Sequence, residues 1–330
     1  MNNRILILGA NGQDGRVLCD FFDKNNINYD IAVRNENRFI HENQKNIFIG
    51  DLNNYKFIKE IFELNTYDKV FNFANETFVR DNSLISDSFT KTLIFFNLCK
   101  VIEENSLDFW LCQPLSSEIF GIPSETPQNS KTIIDPINNY GLAKTIEFYG
   151  SQILRSKGIK VFNPIFFNHE SSYRDNKFFS AKAINYFINY NNNNIKNEPF
   201  KFHNALSVRD WGYAKEYIKI VVTASEKRIN DKIVIGSGVQ ISVLNFIKII
   251  LENFKIDYKI YNSKEGLIII KDAKSSKIIA MEMGINKIDI KRQFKADTQE
   301  LKQYDLEIPK IKGKNLVIQL IQDFKNQEII

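Results

Sequence analysis

Apolar residues run without interruption through Ile5-Leu6-Ile7-Leu8, as expected of a strand buried on both faces. Val17, Leu18, Phe21 and Phe22 then recur at helical spacing. The alternation continues with strands at Tyr29–Val33 and Asn46–Leu52, a helix over Tyr55–Leu64 and a strand at Lys69–Ala74. A long amphipathic helix reaches about Glu104, followed by a strand at Phe109–Gln113, a helix through Tyr140 and Lys144 to about Ser156, and a strand from Lys160 to Phe166. Strands alternating with helices predict a parallel sheet with right-handed crossovers, a doubly wound α/β fold.

The pattern changes further on. Asn191–Asn194 is a polar low-complexity loop, then come a short strand near Phe200, the segment Arg209–Ala214, a helix to about Lys227 and a strand at Lys232–Ile235. Helices near 242–254 and 315–325 enclose mixed strands. This predicts two intimate units, a dinucleotide-binding half over residues 1–165 and a smaller α/β substrate-binding lobe over 166–330, with the chain returning to the first half around 205–238. No long linker separates them, so they share an interface.

Composition narrows the function classes. A charge of +5 arises from 44 basic and 39 acidic residues scattered along the chain, without the basic run that nucleic acid demands. Cys19, Cys99 and Cys112 lie far apart and give neither a disulfide framework nor a zinc spacing, and three histidines are too few for a histidine metal cluster. No apolar stretch approaches membrane-spanning length and no leader pattern precedes the first strand, so a cytoplasmic protein without metal or membrane partner is expected.

Candidate chemistry begins at Gly9-Ala10-Asn11-Gly12-Gln13-Asp14-Gly15, a Gly-x-x-Gly-x-x-Gly turn between strand and helix. Glycines there permit close approach of backbone to a pyrophosphate, and the helix N-terminus attracts its charge. The fold is therefore expected to be of Rossmann type. The second strand ends at Arg34 where an acid would favour NAD; an arginine, with Arg38 beside it, favours the 2′-phosphate of NADP. Asp51 and Leu52 would flank an adenine, and Phe73 and small Ala74 let the cofactor pass the fourth strand.

Between Ser116 and Lys144 a hydroxyl, a carboxylate, a phenol and an amine are gathered: Ser116-Ser117-Glu118, then Tyr140-Gly141-Leu142-Ala143-Lys144. Tyr140 and Lys144 share one helix face, and a neighbouring ammonium favours a phenolate able to take a proton from an alcohol. Such a pair alone is common in ordinary helices; following a strand and a glycine turn it points to alcohol oxidation.

These segments, with Phe167-Asn168-His169-Glu170-Ser171 and Arg209-Asp210-Trp211-Gly212, resemble the extended short-chain dehydrogenases/reductases, and more narrowly the GDP-mannose 4,6-dehydratases, over about residues 4–250. The resemblance implies a nucleotide-sugar substrate, Tyr140 as C4 base with Lys144 as its partner, Glu118 as C5 base, and Ser116 in place of the usual threonine. It further implies NADP contacts from His169 and Arg174, substrate contacts from Ser116 and Asn168, and Arg209 on the diphosphate. Relatives of this kind form dimers or tetramers. Asp210 is expected to brace backbone and Trp211 to pack in the core. The chain departs from the family in three places: a second diphosphate arginine is expected near residue 263, where Lys264 is the nearest candidate; Asn75-Glu76-Thr77 replaces Gln-Ser-His; and Asp272-Ala273-Lys274-Ser275 stands for Asp-Pro-Ser-Lys. On the same scaffold a 4-ketoreductase or C4 epimerase would need no carbonyl-α base, and a cofactor-binding regulator no turnover.

Overall fold

The computed structural model describes residues 4–35, 43–75, 84–192, 194 and 198–327. In the first half, strands and helices alternate: β1 (Ile5–Leu8), α1 (Gln13–Lys24), β2 (Tyr29–Val33), β3 (Gln44–Ile49), α2 (Tyr55–Leu64), β4 (Lys69–Asn72), α3 (Asp87–Glu104) and β5 (Trp110–Cys112). A two-residue strand β6 (Leu115–Ser116) leads into a 3₁₀ turn (Ser117–Phe120), then α4 (Asn139–Ser156) and β7 (Lys160–Phe166). Successive residues of β1 serve opposite faces: Ile7 packs with Phe22, Phe71, Trp110 and Phe162, while Leu6 and Leu8 pack with Val70, Leu111 and Val161. That double burial explains the unbroken apolar run, since each such side chain contributes about 1.5–3 kcal/mol when withdrawn from water.

The second half adds β8 (Asn168–Glu170), α5 (Phe179–Asn191), β9 (Phe200–Phe202), β10 (Val208–Tyr213), α6 (Ala214–Glu226), β11 (Lys232–Ile235), β12 (Gln240–Ser242) and α7 (Val243–Asn253). There follow β13 (Tyr258–Asn262), β14 (Ile268–Asp272), β15 (Ile278–Glu282), α8 (Lys287–Lys291), α9 (Gln299–Gln303) and α10 (Lys314–Gln327). The main sheet runs β11-β7-β5-β4-β1-β2-β3, every pairing parallel, with β6 beside β7. This is the expected doubly wound Rossmann-type sheet, and β11 completes one edge from far along the chain. Its preceding helix α6 covers α1 and buries Tyr217, Ile218 and Val221 in the same cluster as Phe22.

Two small sheets, β12-β10-β8 and β13-β14-β15-β9, build the other lobe around α5, α7 and α10. The third strand begins earlier than expected and stops before Gly50, because β3 is an edge strand with only one neighbour and mostly exposed residues. Among the described residues no helix is long and apolar enough to cross a membrane.

Candidate active site

Parallel strands deliver their carboxyl ends to one edge of the sheet, where doubly wound folds bind ligands. At that edge Gly9 turns with φ +82°, and a Cβ there would stand 2.6 Å from the Ala74 nitrogen, so glycine lets the ends of β1 and β4 meet. No side chain caps α1 at Gly12, leaving first-turn N–H groups for an anion. A groove of about 260 Å³ opens there, lined among others by Gly9, Asn11, Gly12, Arg34, Asp51, Leu52, Phe73 and Ala74. Its uncapped helix end, close-approach glycine and terminal cation fit a dinucleotide carrying phosphates. Arg38 lies outside the described residues.

Gln13 and Asp14 face elsewhere. The Gln13 amide donates to the His169 carbonyl at 3.0 Å, and its oxygen accepts from Ser171 N–H and Oγ at 3.1 Å each, tying α1 to β8. His169 places Nδ1 2.8 Å from the Phe167 carbonyl and Nε2 2.9 Å from Asp14. Both partners only accept, so both ring nitrogens donate and the ring is an imidazolium. Burial opposes the charge on each partner, but mutual attraction outweighs it, holding Asp14 below and His169 above their ordinary values. Asp14 and His169 therefore form one wall of the next cavity as an ion pair.

That cavity, of about 300 Å³, brings together Ser116, Glu118, Tyr140, Lys144, Asn168, His169 and Arg174. Ser116 caps the 3₁₀ turn, its Oγ accepting from the Glu118 N–H at 3.3 Å. Asn138 was not singled out from sequence, yet it couples two elements: its oxygen caps α4 at the Gly141 N–H (2.8 Å) and its amide donates to Glu118 at 2.6 Å. Gly141 makes room for this, since a Cβ there would lie 2.5 Å from the Glu118 carbonyl oxygen. Arg174 stacks on Phe178, 3.6 Å from the ring centre, and its Nε is 3.3 Å from buried Glu170.

Lys144, expected as the partner of Tyr140, also bonds two further groups. Lys144 Nζ is 2.7 Å from Glu147 and 3.0 Å from the Pro114 carbonyl, but 6.0 Å from the Tyr140 ring centre. Burial first, then the Glu147 and Glu118 charges, push the Tyr140 phenol up; Ser116 and Arg174 oppose this less strongly. Glu147 is buried in the middle of a helix and has no motif to announce it.

Beyond Glu118 lies the arginine side. Arg209 donates to Ser207 Oγ at 2.7 Å and the Val208 carbonyl at 2.8 Å, and pairs with Asp289. Arg292 pairs with Glu118, donates to the Gly121 carbonyl at 3.2 Å, and lies 3.7 Å from Asp289. Asp289 thus stands between two guanidiniums at the mouth of an adjoining pocket of about 350 Å³ lined by Asn168, Arg174, Phe178, Arg209 and Trp211. The second guanidinium near Asp289 is thus that of Arg292, while Lys264 sits in the exposed β13–β14 turn and Asp272 folds the β14–β15 turn by accepting from Ser275 N–H at 2.6 Å. Arg292 lies in irregular chain after α8, where periodicity gives no signal; the signal available was an isolated arginine in a lysine-rich chain. Asp210 is fully buried and accepts from Ser237, Gly238 and Ala296, and Trp211 packs on Phe179 and Phe246, as expected of both. Among the described residues no group of metal-ligating side chains is placed to hold an ion.

Comparison with known proteins agrees with this geometry. The sequence is 28% identical to a GDP-mannose 4,6-dehydratase of Vibrio cholerae over 269 residues, 75% of this chain and 71% of that one. It is 25% identical to the human GDP-mannose 4,6 dehydratase over 269 residues, 74% of this chain and 71% of that one. In structure it resembles dTDP-glucose 4,6-dehydratase from Bacillus anthracis in complex with NAD, with TM-score 0.77 and 14% identity over 99% of this chain and 97% of the other. The family described as GDP-mannose 4,6 dehydratase matches residues 6–318, and the chain belongs to that family.

Proposed function

We propose that the protein is a nucleotide-sugar 4,6-dehydratase that converts GDP-mannose, or a related GDP-hexose, to its 4-keto-6-deoxy form. The observation that carries this reading is the convergence of Ser116, Glu118, Tyr140 and Lys144 on one cavity between the glycine-turn groove and the arginine pair. Tyr140 takes the C4 hydroxyl proton, and Ser116 stabilises the oxygen as its charge develops. A nicotinamide held by the glycine-turn groove would supply a temporary hydride store, keeping the C4 hydride until it is returned to C6, so that no net oxidation occurs. The C4 ketone acidifies the C5 hydrogen, Glu118 removes it as water leaves from C6, and C5 regains a proton when the hydride comes back to C6. Arg209, leaving Asp289, and Arg292, leaving Glu118, hold the diphosphate and exchange carboxylate for phosphate oxygens. Reductase or epimerase chemistry would need no carbonyl-α base at Glu118.

Arg34 at the end of β2 supports NADP over NAD. Exposed Phe89, Leu93 and Phe96 on α3, with Tyr149 and Ile153 on adjoining α4, support association through these helices into a dimer or tetramer. Free cysteines, two of them buried, suit a reducing cytoplasm. The decisive test incubates purified protein with NADP and a panel of nucleotide sugars led by GDP-mannose, with no external reductant, and follows product mass. Loss of one water without net cofactor reduction is expected. A product of unchanged mass, or accumulating reduced cofactor, would refute the assignment in favour of an epimerase or a simple oxidoreductase.

A further inference from the structure

Where the two lobes meet, charged side chains alternate in sign: Arg209, Asp289, Arg292 and Glu118. The two oxygens of Asp289 differ in what they face. Oδ2 is turned to the body of its lobe, where it accepts from the Asn204 amide at 2.9 Å and the Ser207 hydroxyl at 3.3 Å. Oδ1 is turned to the arginines, paired with Arg209 and 3.7 Å from the Arg292 guanidinium. One oxygen shared by two guanidiniums is a contact that a bound diphosphate would otherwise supply. The arginines keep other anchors. Arg209 donates to Ser207 Oγ at 2.7 Å and the Val208 carbonyl at 2.8 Å, Arg292 to the Gly121 carbonyl at 3.2 Å. The Phe294 ring centre lies 5.7 Å from one guanidinium and 4.6 Å from the other. Asp289 is the member most easily moved: it belongs to the five-residue helix α8, which buries none of its side chains, and it is 23% exposed against 13% and 10% for the arginines.

We propose that Asp289 is a positioning residue that stands in for the substrate diphosphate: in the empty protein its Oδ1 occupies the arginine pair, and it gives up that place when the nucleotide sugar arrives. The inference rests on the reading of Arg209 and Arg292 as the diphosphate ligands. Without a ligand, the carboxylate offsets the repulsion between two guanidiniums that converge on one point. With a ligand, it competes, because a carboxylate and a phosphate claiming the same guanidiniums carry the same sign. Asp289 therefore weakens the hold on the diphosphate. That weakening does not slow the chemistry. Substrate, 4-keto intermediate and product all carry the same diphosphate, so the arginines bind every stage alike, and uniform binding does not favour the transition state. A carboxylate ready to return to the arginines instead helps the product to leave.

Inorganic pyrophosphate tests this without knowledge of the base or the sugar. It is titrated calorimetrically into the NADP-loaded protein, whose glycine-turn groove is already filled, in magnesium-free buffer. Arg209→Met, which lacks one guanidinium, is expected to bind it at least about tenfold more weakly than the wild type. Asp289→Asn keeps an oxygen for Asn204 and Ser207 but removes the charge, and is expected to bind pyrophosphate about tenfold more tightly, within the usual range of coupling between ligands. Asp289→Ala, which leaves space instead of an amide turned towards the arginines, is measured alongside in case the asparagine variant does not fold. KM for the nucleotide sugar should fall with the pyrophosphate Kd, and kcat should not rise. A purely structural role has the opposite sign, with affinity and melting temperature falling together. Unchanged or weaker binding in a variant that still melts cooperatively overturns the proposal. If Arg209→Met binds pyrophosphate as the wild type does, the arginine pair is not the diphosphate site and both readings fall. If Arg209→Met loses binding but neither Asp289 variant gains it, the diphosphate reading stands and the role of Asp289 falls. If the Asp289 variants gain affinity but no nucleotide sugar is turned over, the dehydratase reading falls and the role of Asp289 stands.

Discussion

Replacing Asp210 by asparagine tests whether the cleft is held open by one buried carboxylate. Oδ1 accepts from the Ser237 N–H at 2.8 Å and the Ser237 hydroxyl at 2.6 Å; Oδ2 accepts from Gly238 N–H at 2.8 Å and Ala296 N–H at 2.9 Å. An amide has one accepting oxygen. Its least damaging orientation turns NH₂ towards Ser237, whose hydroxyl can rotate and accept, and orphans the Ser237 N–H. A buried donor without a partner costs about 1–3 kcal/mol, and each surviving bond loses its charge assistance, together about 3–5 kcal/mol. Burial pushes Asp210 up against these hydrogen bonds, so part of that loss returns when the charge is removed. The net expectation is about 2–4 kcal/mol, a large share of a domain stability of about 5–15 kcal/mol. Denaturant melts followed by tryptophan fluorescence and far-ultraviolet circular dichroism measure it. Because Ala296 follows Arg292 closely, a rise in KM should accompany the lower midpoint. A midpoint equal to that of the wild type would refute the hydrogen-bond accounting.

Arg292→Met removes one diphosphate ligand while keeping side-chain bulk; KM for the nucleotide sugar should rise about thirtyfold, equivalent to about 2 kcal/mol, with a lower melting midpoint from the lost Glu118 and Gly121 contacts. An unchanged KM would remove Arg292 from the binding site. Arg34→Ala should weaken NADP binding and leave NAD binding nearly as it was, as measured by titration calorimetry; equal losses would refute the 2′-phosphate contact. The Asp14–His169 pair gives a signed pH dependence. The raised His169 value makes its stabilisation complete below 6.5 and fading as pH rises through the folded value, whereas the lowered Asp14 value makes its own complete above 3.8 and lost as pH falls through the folded value. The melting-temperature advantage of wild type over His169→Gln should therefore shrink as pH rises from 6.5, and a constant difference would refute the imidazolium.

Where the chemistry was local, the sequence was legible. The glycine turn, the Tyr140–Lys144 helix and strands such as Tyr29–Val33 and Lys232–Ile235 are written in contiguous residues, and they form where the pattern puts them. What escaped was long-range. Arg292 reaches Glu118 across 174 positions from a segment without regular structure. Glu147 reads as one more polar residue of an amphipathic helix until α4 packs against β6 and β7 and buries it with Gln113. The spacing of Tyr140 and Lys144 fixed that they are neighbours but could not say which of two neighbours the ammonium prefers. That choice is made by Glu147, Asn75 and Gln113, which arrive from three different elements.

The place of β11 bears on how this protein can be made. A nascent chain that has emerged only as far as β7 has all the residues of the glycine turn and of the Tyr140–Lys144 helix, yet its sheet still lacks an edge strand and its α1 face lacks Tyr217, Ile218 and Val221. Trp110 would also lack the Ile229 carbonyl, which accepts its indole N–H at 2.9 Å. Synthesis must pass Ile235 before the sheet gains that edge strand, by which point the arginine-bearing β10 has also been made. Truncation after β7 should yield an aggregating fragment, and a protease that nicks the surface should leave the pieces clasped together.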